Sequence, residues 1–187
     1  MIETSINGID LVFETSSNSF SPKGIDLGTL AMLSCIELSK DDKVLDLGCG
    51  YGVVGIYIAK LIGEENVVMS DIDEECIELS KRNAKANNLG EISIVQSDGL
   101  TNITDNDFSI ILSNPPYHSD FSVPKQFIEK GFHKLKLGGK IYMVTKRREL
   151  YKNKLIAIFG GVSISEVDGY FVFCSEKRSM QYANIKK

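Results

Sequence analysis

Clustered metal ligands are missing from this sequence. The four cysteines, Cys35, Cys49, Cys76 and Cys174, form no C-x-x-C pair, and the two histidines, His118 and His133, lie far from all of them. That spacing argues against a zinc centre and a disulfide framework, so no metal is expected and the thiols are expected to be small buried apolar groups of a reducing compartment. No apolar run approaches the roughly 18 residues that a membrane span needs. Residues 1–10 carry acids and polar groups where a secretory signal would have a basic start and an apolar stretch. A soluble cytoplasmic protein is expected. Repeats and low-complexity segments are also absent.

What is present is a near-average globular composition: 187 residues, 43% hydrophobic and 25% charged, enough for one substantial core. A single domain over residues 1–187 is expected, with 1–40 as an N-terminal hairpin and helix extension and 41–187 as the core. The net charge of −4 conceals a segregation. Residues 1–75 hold 14 acids against 4 bases, net −10, whereas residues 125–154 hold ten bases against Glu129 and Glu149, net +8. Such a split suits one surface turned toward a polyanion, although a solvated helix face explains any single lysine better.

From Lys43 onward, strand-like apolar runs alternate with helical periodicity, the pattern of a parallel sheet with crossover helices. Strands are expected over 43–47, 67–71, 92–96, 108–113 and 140–145, and helices over 53–61, 74–88, 127–137 and 148–159. Gly138-Gly139 would close the third of these helices. Asp168-Gly169 joins two further strands, 162–167 and 170–174, as a hairpin. The fold class that follows is α/β: an open seven-stranded, mostly parallel, Rossmann-like sheet with helices on both faces and the last strand antiparallel. Before it, Asn7-Gly8 can turn a small hairpin, and a helix over 27–38 is capped by Asp26.

Asp46-Leu47-Gly48-Cys49-Gly50-Tyr51-Gly52 falls where the first core strand feeds its helix, and glycines there let backbone approach a ligand. The ligand is nucleotide-like, either a dinucleotide or S-adenosylmethionine. Asp71, at the end of the next strand, reaches the same crevice and can accept from ribose hydroxyls. Asp46 tilts the choice: a carboxylate beneath the loop repels a pyrophosphate and suits the amino group of a methionine moiety. Ile72 can pack on an adenine face, and Asp98 can accept from an adenine amino group.

Ser113-Asn114-Pro115-Pro116-Tyr117-His118 follows the fourth core strand, where loops carry chemistry. Two adjacent prolines stiffen the segment and remove two donors, leaving carbonyls that only accept. A planar amine has its lone pair delocalised and is a poor nucleophile. The Asn114 oxygen and the Pro115 carbonyl can each take one of its N–H groups and aim the lone pair at a methyl donor. Tyr117 offers a stacking face for a planar base. His118 can line the base pocket or lie in solvent, and Lys146-Arg147-Arg148 is the preferred phosphate contact.

Asp46-x-Gly48-x-Gly50-x-Gly52 with Asn114-Pro115-Pro116-Tyr117 resembles the class I S-adenosylmethionine-dependent methyltransferases that modify amino nitrogens. Phe20-Ser21, Asp26-x-Gly28-Thr29, His118, and Phe132-His133-Lys134 before Leu137-Gly138-Gly139 are similar to the small-domain branch typified by ribosomal-RNA guanine-N2 methyltransferases. The resemblance implies that Gly48 and Gly50 face the cofactor, Asp71 its ribose, Asp98 its adenine and Asn114 the target amine, while Phe20 covers the pocket. It also implies an RNA substrate, most readily guanine N2 of ribosomal RNA. Tyr117 departs from that branch, where Phe is common, toward adenine-N6 and protein-glutamine N5 enzymes, which stay open as alternatives. A single catalytic-type domain is expected, without the extra domain with which some ribosomal-RNA enzymes grip RNA. A nicotinamide-dependent oxidoreductase is a remoter alternative that leaves Asp46 and the Asn-Pro-Pro-Tyr segment unexplained. The oligomeric state is open, with a monomer slightly favoured.

Overall fold

The computed structural model describes residues 1–16, 24–116 and 120–183. Strands β1 (Ile2–Ile6) and β2 (Ile9–Phe13) pair antiparallel around Asn7-Gly8, whose φ values of 49° and 82° are those of a tight hairpin turn. Helix α1 (Leu27–Cys35) starts at Asp26, whose Oδ2 accepts from the Thr29 amide at 2.9 Å. It stops three residues before the expected end, because Ile36 is already extended.

The core then runs β3 (Val44–Leu47), α2 (Val53–Ile62), β4 (Val67–Asp71), α3 (Glu74–Ala86), β5 (Ser93–Gln96), β6 (Phe108–Ser113), α4 (Ser122–Lys134), β7 (Leu135–Thr145), α5 (Arg148–Phe159), β8 (Ser163–Val167) and β9 (Tyr170–Glu176). The sheet order is β5-β4-β3-β6-β7-β9-β8. The strands from β5 to β7 pair in parallel, and β9 runs against both its neighbours. This is the expected seven-stranded sheet with a reversed last strand. No helix among the described residues is long and apolar enough to cross a membrane.

One boundary differs from expectation. The helix expected over 127–137 instead spans Ser122–Lys134, and Leu135 already pairs with Phe108 as strand. Pro124 lies in the helix's first turn, where a missing N–H costs nothing. Gly138-Gly139 is not a helix stop but an irregularity inside β7, where the register against β6 jumps from Phe108↔Leu135 to Ile110↔Lys140. Gly138 donates to the Lys177 carbonyl and the Gly139 carbonyl accepts from the Lys177 amide, both at 2.8 Å. A Cβ on Gly139 would lie 2.8 Å from the Phe108 carbonyl oxygen, so no larger residue fits the bulge.

Alternation along the buried strands divides the core between the two faces of the sheet. Val44, Met69, Leu112 and Tyr142 join Phe13, Met32, Ile56 and Ile58 beneath α1, α2 and the hairpin. Leu45, Leu47, Ile111, Met143 and Phe173 join Phe132 and Leu155 beneath α4 and α5. Each fully buried Phe or Leu contributes about 1.5–3 kcal/mol. The inner face of α3 is more polar than its pattern suggests: Ser80 and Asn83 are buried and Ala86 is exposed. Asn83 and Asn87, one helical turn apart, bind β2 and its extension as a second strand would. Asn87 accepts from the Val12 amide (3.1 Å) and donates to the Val12 carbonyl (2.7 Å); Asn83 accepts from the Glu14 amide (2.7 Å) and donates to the Glu14 carbonyl (3.0 Å).

Candidate active site

The chain leaves β3 toward β4 on one side, and β6 pairs with β3 on the other. Between their carboxyl ends lies the topological switch point at which open α/β sheets bind ligands. A cavity of about 310 Å³ opens there, walled by the β3–α2 glycine loop, Asp71-Ile72, Ser97-Asp98-Gly99, Asn114-Pro115-Pro116 and Phe127.

The glycine loop is held by main-chain bonds. The Gly48 and Cys49 amides both donate to the Ser70 carbonyl, at 2.8 and 2.9 Å. The Ser80 hydroxyl donates to the Gly50 carbonyl at 2.8 Å, and Asn83 donates to the Tyr51 carbonyl at 2.8 Å. Gly52, the last loop residue, has φ of 100°, and a Cβ there would come within 2.9 Å of Met69 and 3.0 Å of Ile56. Only glycine lets α2 begin this close to the sheet.

Of the two acids expected beside the loop, Asp71 is tied to it. Its Oδ2 accepts from the Gly50 amide at 2.8 Å and its Oδ1 from the Asp73 amide at 3.0 Å, so the carboxylate is fixed at the cavity wall. Asp46 lies deeper, 2% exposed, with Oδ2 accepting from the Gly55 amide at 2.8 Å. Burial raises its pKa to about 7, the Asp71 charge adds to the rise, and the Gly55 N–H opposes it. Asp98 and Ile72 are exposed residues of the cavity rim, Ile72 presenting 62% of its surface.

Asn114, at the end of β6, has its amide nitrogen anchored. Nδ2 donates to Asp26 Oδ2 at 2.8 Å and to Thr29 Oγ1 at 3.0 Å. A side-chain amide has two donors and one oxygen, so Oδ1 forms the opposite end of this fixed plane. Pro115 is buried, and it and Pro116 line the cavity without an N–H. Phe20, Tyr117 and His118, which the sequence also points to, lie outside the described residues.

Several cavity residues are not expected from the sequence. Asp26 and Thr29 enter the sequence reading as a helix start and as part of the Asp26-x-Gly28-Thr29 resemblance, with no role in the site, and Phe127 as one apolar position of an amphipathic helix. Its ring lies 3.7 Å from where a Cβ of Gly48 would be and 3.4 Å from that of Gly99, so it closes the wall between the two loops. Ser70, fully buried in the lining, has a hydroxyl oxygen with no hydrogen-bond partner among the described residues.

The lining carries Asp26, Asp46, Asp71 and Asp98 and neither lysine nor arginine among the described residues. A pyrophosphate would be repelled there, whereas a cationic nucleoside would be attracted. The lining therefore fits S-adenosylmethionine, whose sulfonium and amino group are cationic, and not a nicotinamide dinucleotide.

Lys146, Arg147 and Arg148 follow the carboxyl end of β7, next to β6, and are exposed on the same edge as the cavity without lining it. Lys146 Nζ lies 4.7 Å from the centre of the Tyr170 ring, and Arg148 stacks on Phe171 and pairs with Glu149. The basic segment is not one surface. Lys134 binds the Ile103 and Asp105 carbonyls and Lys140 pairs with Glu37 at the other edge of the sheet, while Lys154 pairs with Glu129. His133 is exposed on α4, and its Nε2 is 2.9 Å from the Tyr182 hydroxyl. All four cysteines are free thiols, but only Cys49 is buried.

Known proteins share this arrangement. A family model described as the methyltransferase small domain matches residues 10–174. The chain is 30% identical over 174 residues to the uncharacterized protein YbxB of Bacillus subtilis, covering 90% of this chain and 87% of that one. It is 31% identical over 166 residues to ribosomal RNA small subunit methyltransferase C of Serratia proteamaculans, covering 87% of this chain but 47% of that protein. The solved 16S rRNA N2 G1207 methyltransferase of T. thermophilus, in complex with AdoMet and guanosine, superposes with a TM-score of 0.87 at 27% identity, covering 95% of this chain and 50% of that one. The chain thus spans about half the length of these two ribosomal RNA enzymes. With the glycine loop, the acidic cavity and the Asn-Pro-Pro segment assembled at the switch point of the sheet, the chain belongs to the methyltransferase small domain family and is an S-adenosylmethionine-dependent methyltransferase.

Proposed function

We propose that this chain methylates an exocyclic amino group of RNA, specifically guanine N2 of ribosomal RNA, in the cytoplasm. The observation that carries the reading is the geometry of Asn114, whose amide is held by its nitrogen at the wall of the cofactor cavity. An acceptor oxygen beside the Pro115 carbonyl suits an amine that has two N–H groups to give. The likeness to enzymes named for ribosomal RNA supports the choice of substrate.

S-adenosylmethionine supplies an electrophilic methyl group on sulfur. Asp46 and Asp71 would hold its cationic and hydroxylated parts and Ile72 and Asp98 its adenine, and Ser70 gives the buried lining one more polar group. Asn114 and Pro115 hold the target amine with its lone pair toward that methyl, and Pro116 offers no donor to compete. Their contribution is positioning and stabilisation of positive charge on nitrogen, without a strong base. Tyr117 and Phe20, outside the described residues, keep the base-stacking and pocket-covering roles that the sequence reading gives them, and Lys146, Arg147 and Arg148 meet phosphates on the adjoining rim.

The test is transfer of labelled methyl from S-adenosylmethionine to unmodified ribosomal RNA, followed by nucleoside analysis. Label is expected in N2-methylguanosine and is lost in Asn114→Ala. Label in N6-methyladenosine, or in protein glutamine when protein is offered, would reassign the substrate. No transfer to guanine in naked RNA or in ribosomal particles, with S-adenosylhomocysteine still bound, would overturn it.

A further inference from the structure

The residues that hold Asn114 come from the opposite end of the chain. Asp26 and Thr29 lie 88 and 85 positions away, at the N-cap and in the first turn of α1. Both are cavity residues, and Thr29 is only 7% exposed. Asp26 Oδ2 accepts from the Thr29 amide at 2.9 Å and from Asn114 Nδ2 at 2.8 Å, so one oxygen caps the helix and anchors the asparagine. Thr29 Oγ1 takes the same nitrogen at 3.0 Å.

We propose that Asp26 and Thr29 are positioning residues for methyl transfer: they fix which way the Asn114 amide faces and strengthen its oxygen as an acceptor. This rests on the proposed reading of the site as one that methylates an amine. An asparagine amide has two orientations of nearly equal shape, and the wrong one would point N–H groups at the N–H groups of the substrate. A carboxylate only accepts, so turning Oδ1 toward Asp26 would set oxygen against oxygen. The clamp therefore selects one orientation before substrate arrives.

Its second effect is electronic. A charged acceptor on Nδ2 polarises the amide and places more negative charge on Oδ1. During transfer the amine lone pair forms the new N–C bond, the S–C bonding pair returns to sulfur, and the positive charge passes from sulfur to nitrogen. The proton is then lost from nitrogen to solvent. A stronger acceptor is worth more as that charge appears than in the bound ground state, so its effect falls on kcat.

Asp26→Asn keeps an oxygen for both the helix cap and Nδ2 and removes only the charge. Thr29→Val removes one anchor at constant shape, and Thr29→Ser restores it. With guanine-containing RNA as acceptor, Asp26→Asn is expected to lower kcat roughly 10-fold while leaving KM for S-adenosylmethionine unchanged. Thr29→Val is expected to lower kcat less, and Thr29→Ser to regain most of that loss. An unchanged kcat in both variants, or a loss matched by equal loss of S-adenosylhomocysteine affinity, would overturn the proposal.

A second readout needs no substrate. In 15N-asparagine-labelled protein, the side-chain amide pair that disappears in Asn114→Ala is expected to be displaced from solvent-exposed amides and slow to exchange, and to move in Asp26→Asn and Thr29→Val. A pair indifferent to both substitutions would refute the clamp whatever the enzyme methylates. A displaced pair in a chain that transfers nothing to guanine would refute the substrate reading and leave the orientation of Asn114 established.

Discussion

The two edges of the central sheet treat buried charge in opposite ways. At the amino edge Lys177 is 3% exposed, yet its Nζ donates to the Leu135 carbonyl at 2.7 Å and lies 4.9 Å from the centre of the Phe132 ring, while its main chain pairs with Gly138 and Gly139. Burial lowers its pKa. Lys134 and Lys43 bind the 103–106 loop nearby. At the carboxyl edge Asp46 is as deeply buried, accepts from the Gly55 amide and has a second carboxylate close enough to raise its pKa, and the Ser70 hydroxyl has no hydrogen-bond partner among the described residues. One edge satisfies its polar groups internally and stabilises the fold. The other holds polar groups that await a ligand, as binding sites do at a cost in stability.

Neutralising Asp46 is expected to have the largest effect on this contrast. Burial holds its pKa at about 7 in the folded chain, well above the ordinary carboxylate range, so the folded chain retains a proton that the unfolded chain releases. Its contribution is complete at low pH and is lost as pH rises from about 4 through 7. Asp46→Asn should therefore raise ligand-free stability above pH 7 by on the order of 4 kcal/mol and flatten that part of the urea-melting profile. Wild-type affinity for S-adenosylhomocysteine should rise with pH toward 7, where Asp46 ionises to meet the ammonium. A pH-independent affinity would break the assignment.

Asn114→Ala should come next, lowering kcat by about 100-fold with a small change in cofactor affinity, read by calorimetry beside steady-state kinetics. Lys177→Ala should cost about 2 kcal/mol in urea unfolding, since it leaves the Leu135 carbonyl without its partner and empties packed space, and should leave cofactor affinity unchanged. If it weakened cofactor binding as much as it weakened the fold, the two edges would not be separable. Smallest of all, Lys146→Ala should reduce the slope of log RNA affinity against log salt by about 1, and an unchanged slope would remove it from the phosphate contacts.

How much of this could be read in the sequence depends on the range of the interaction. Buried parallel strands announce themselves as short apolar runs, so β4 and β6 match their expected bounds, and the two hairpin turns follow from Asn-Gly and Asp-Gly. Asp46, Asp71 and Asn114 were legible because each lies at or just after the carboxyl end of a strand that the topology brings to one crevice. The α4–β7 junction was not, because Pro124 and Gly138-Gly139 have local readings that packing against β6 and Lys177 overrides. The clamp on Asn114 escaped notice because it joins residues 85 and 88 positions apart, and neither Asp26 nor Thr29 differs locally from an ordinary cap. Charge counts misled in one respect: a +8 segment that passes through α4, β7 and α5 crosses the sheet and distributes its lysines between both edges.

The paired asparagines of α3 reach further than the hairpin they hold. Asn83 receives the Glu14 main chain and, through the same amide, grips the Tyr51 carbonyl of the glycine loop. Fraying at the amino terminus and loosening of the cofactor loop are therefore expected to be coupled through Asn83. Proteolytic nicking or hydrogen exchange in β2 should report the occupancy of a cavity that β2 does not line.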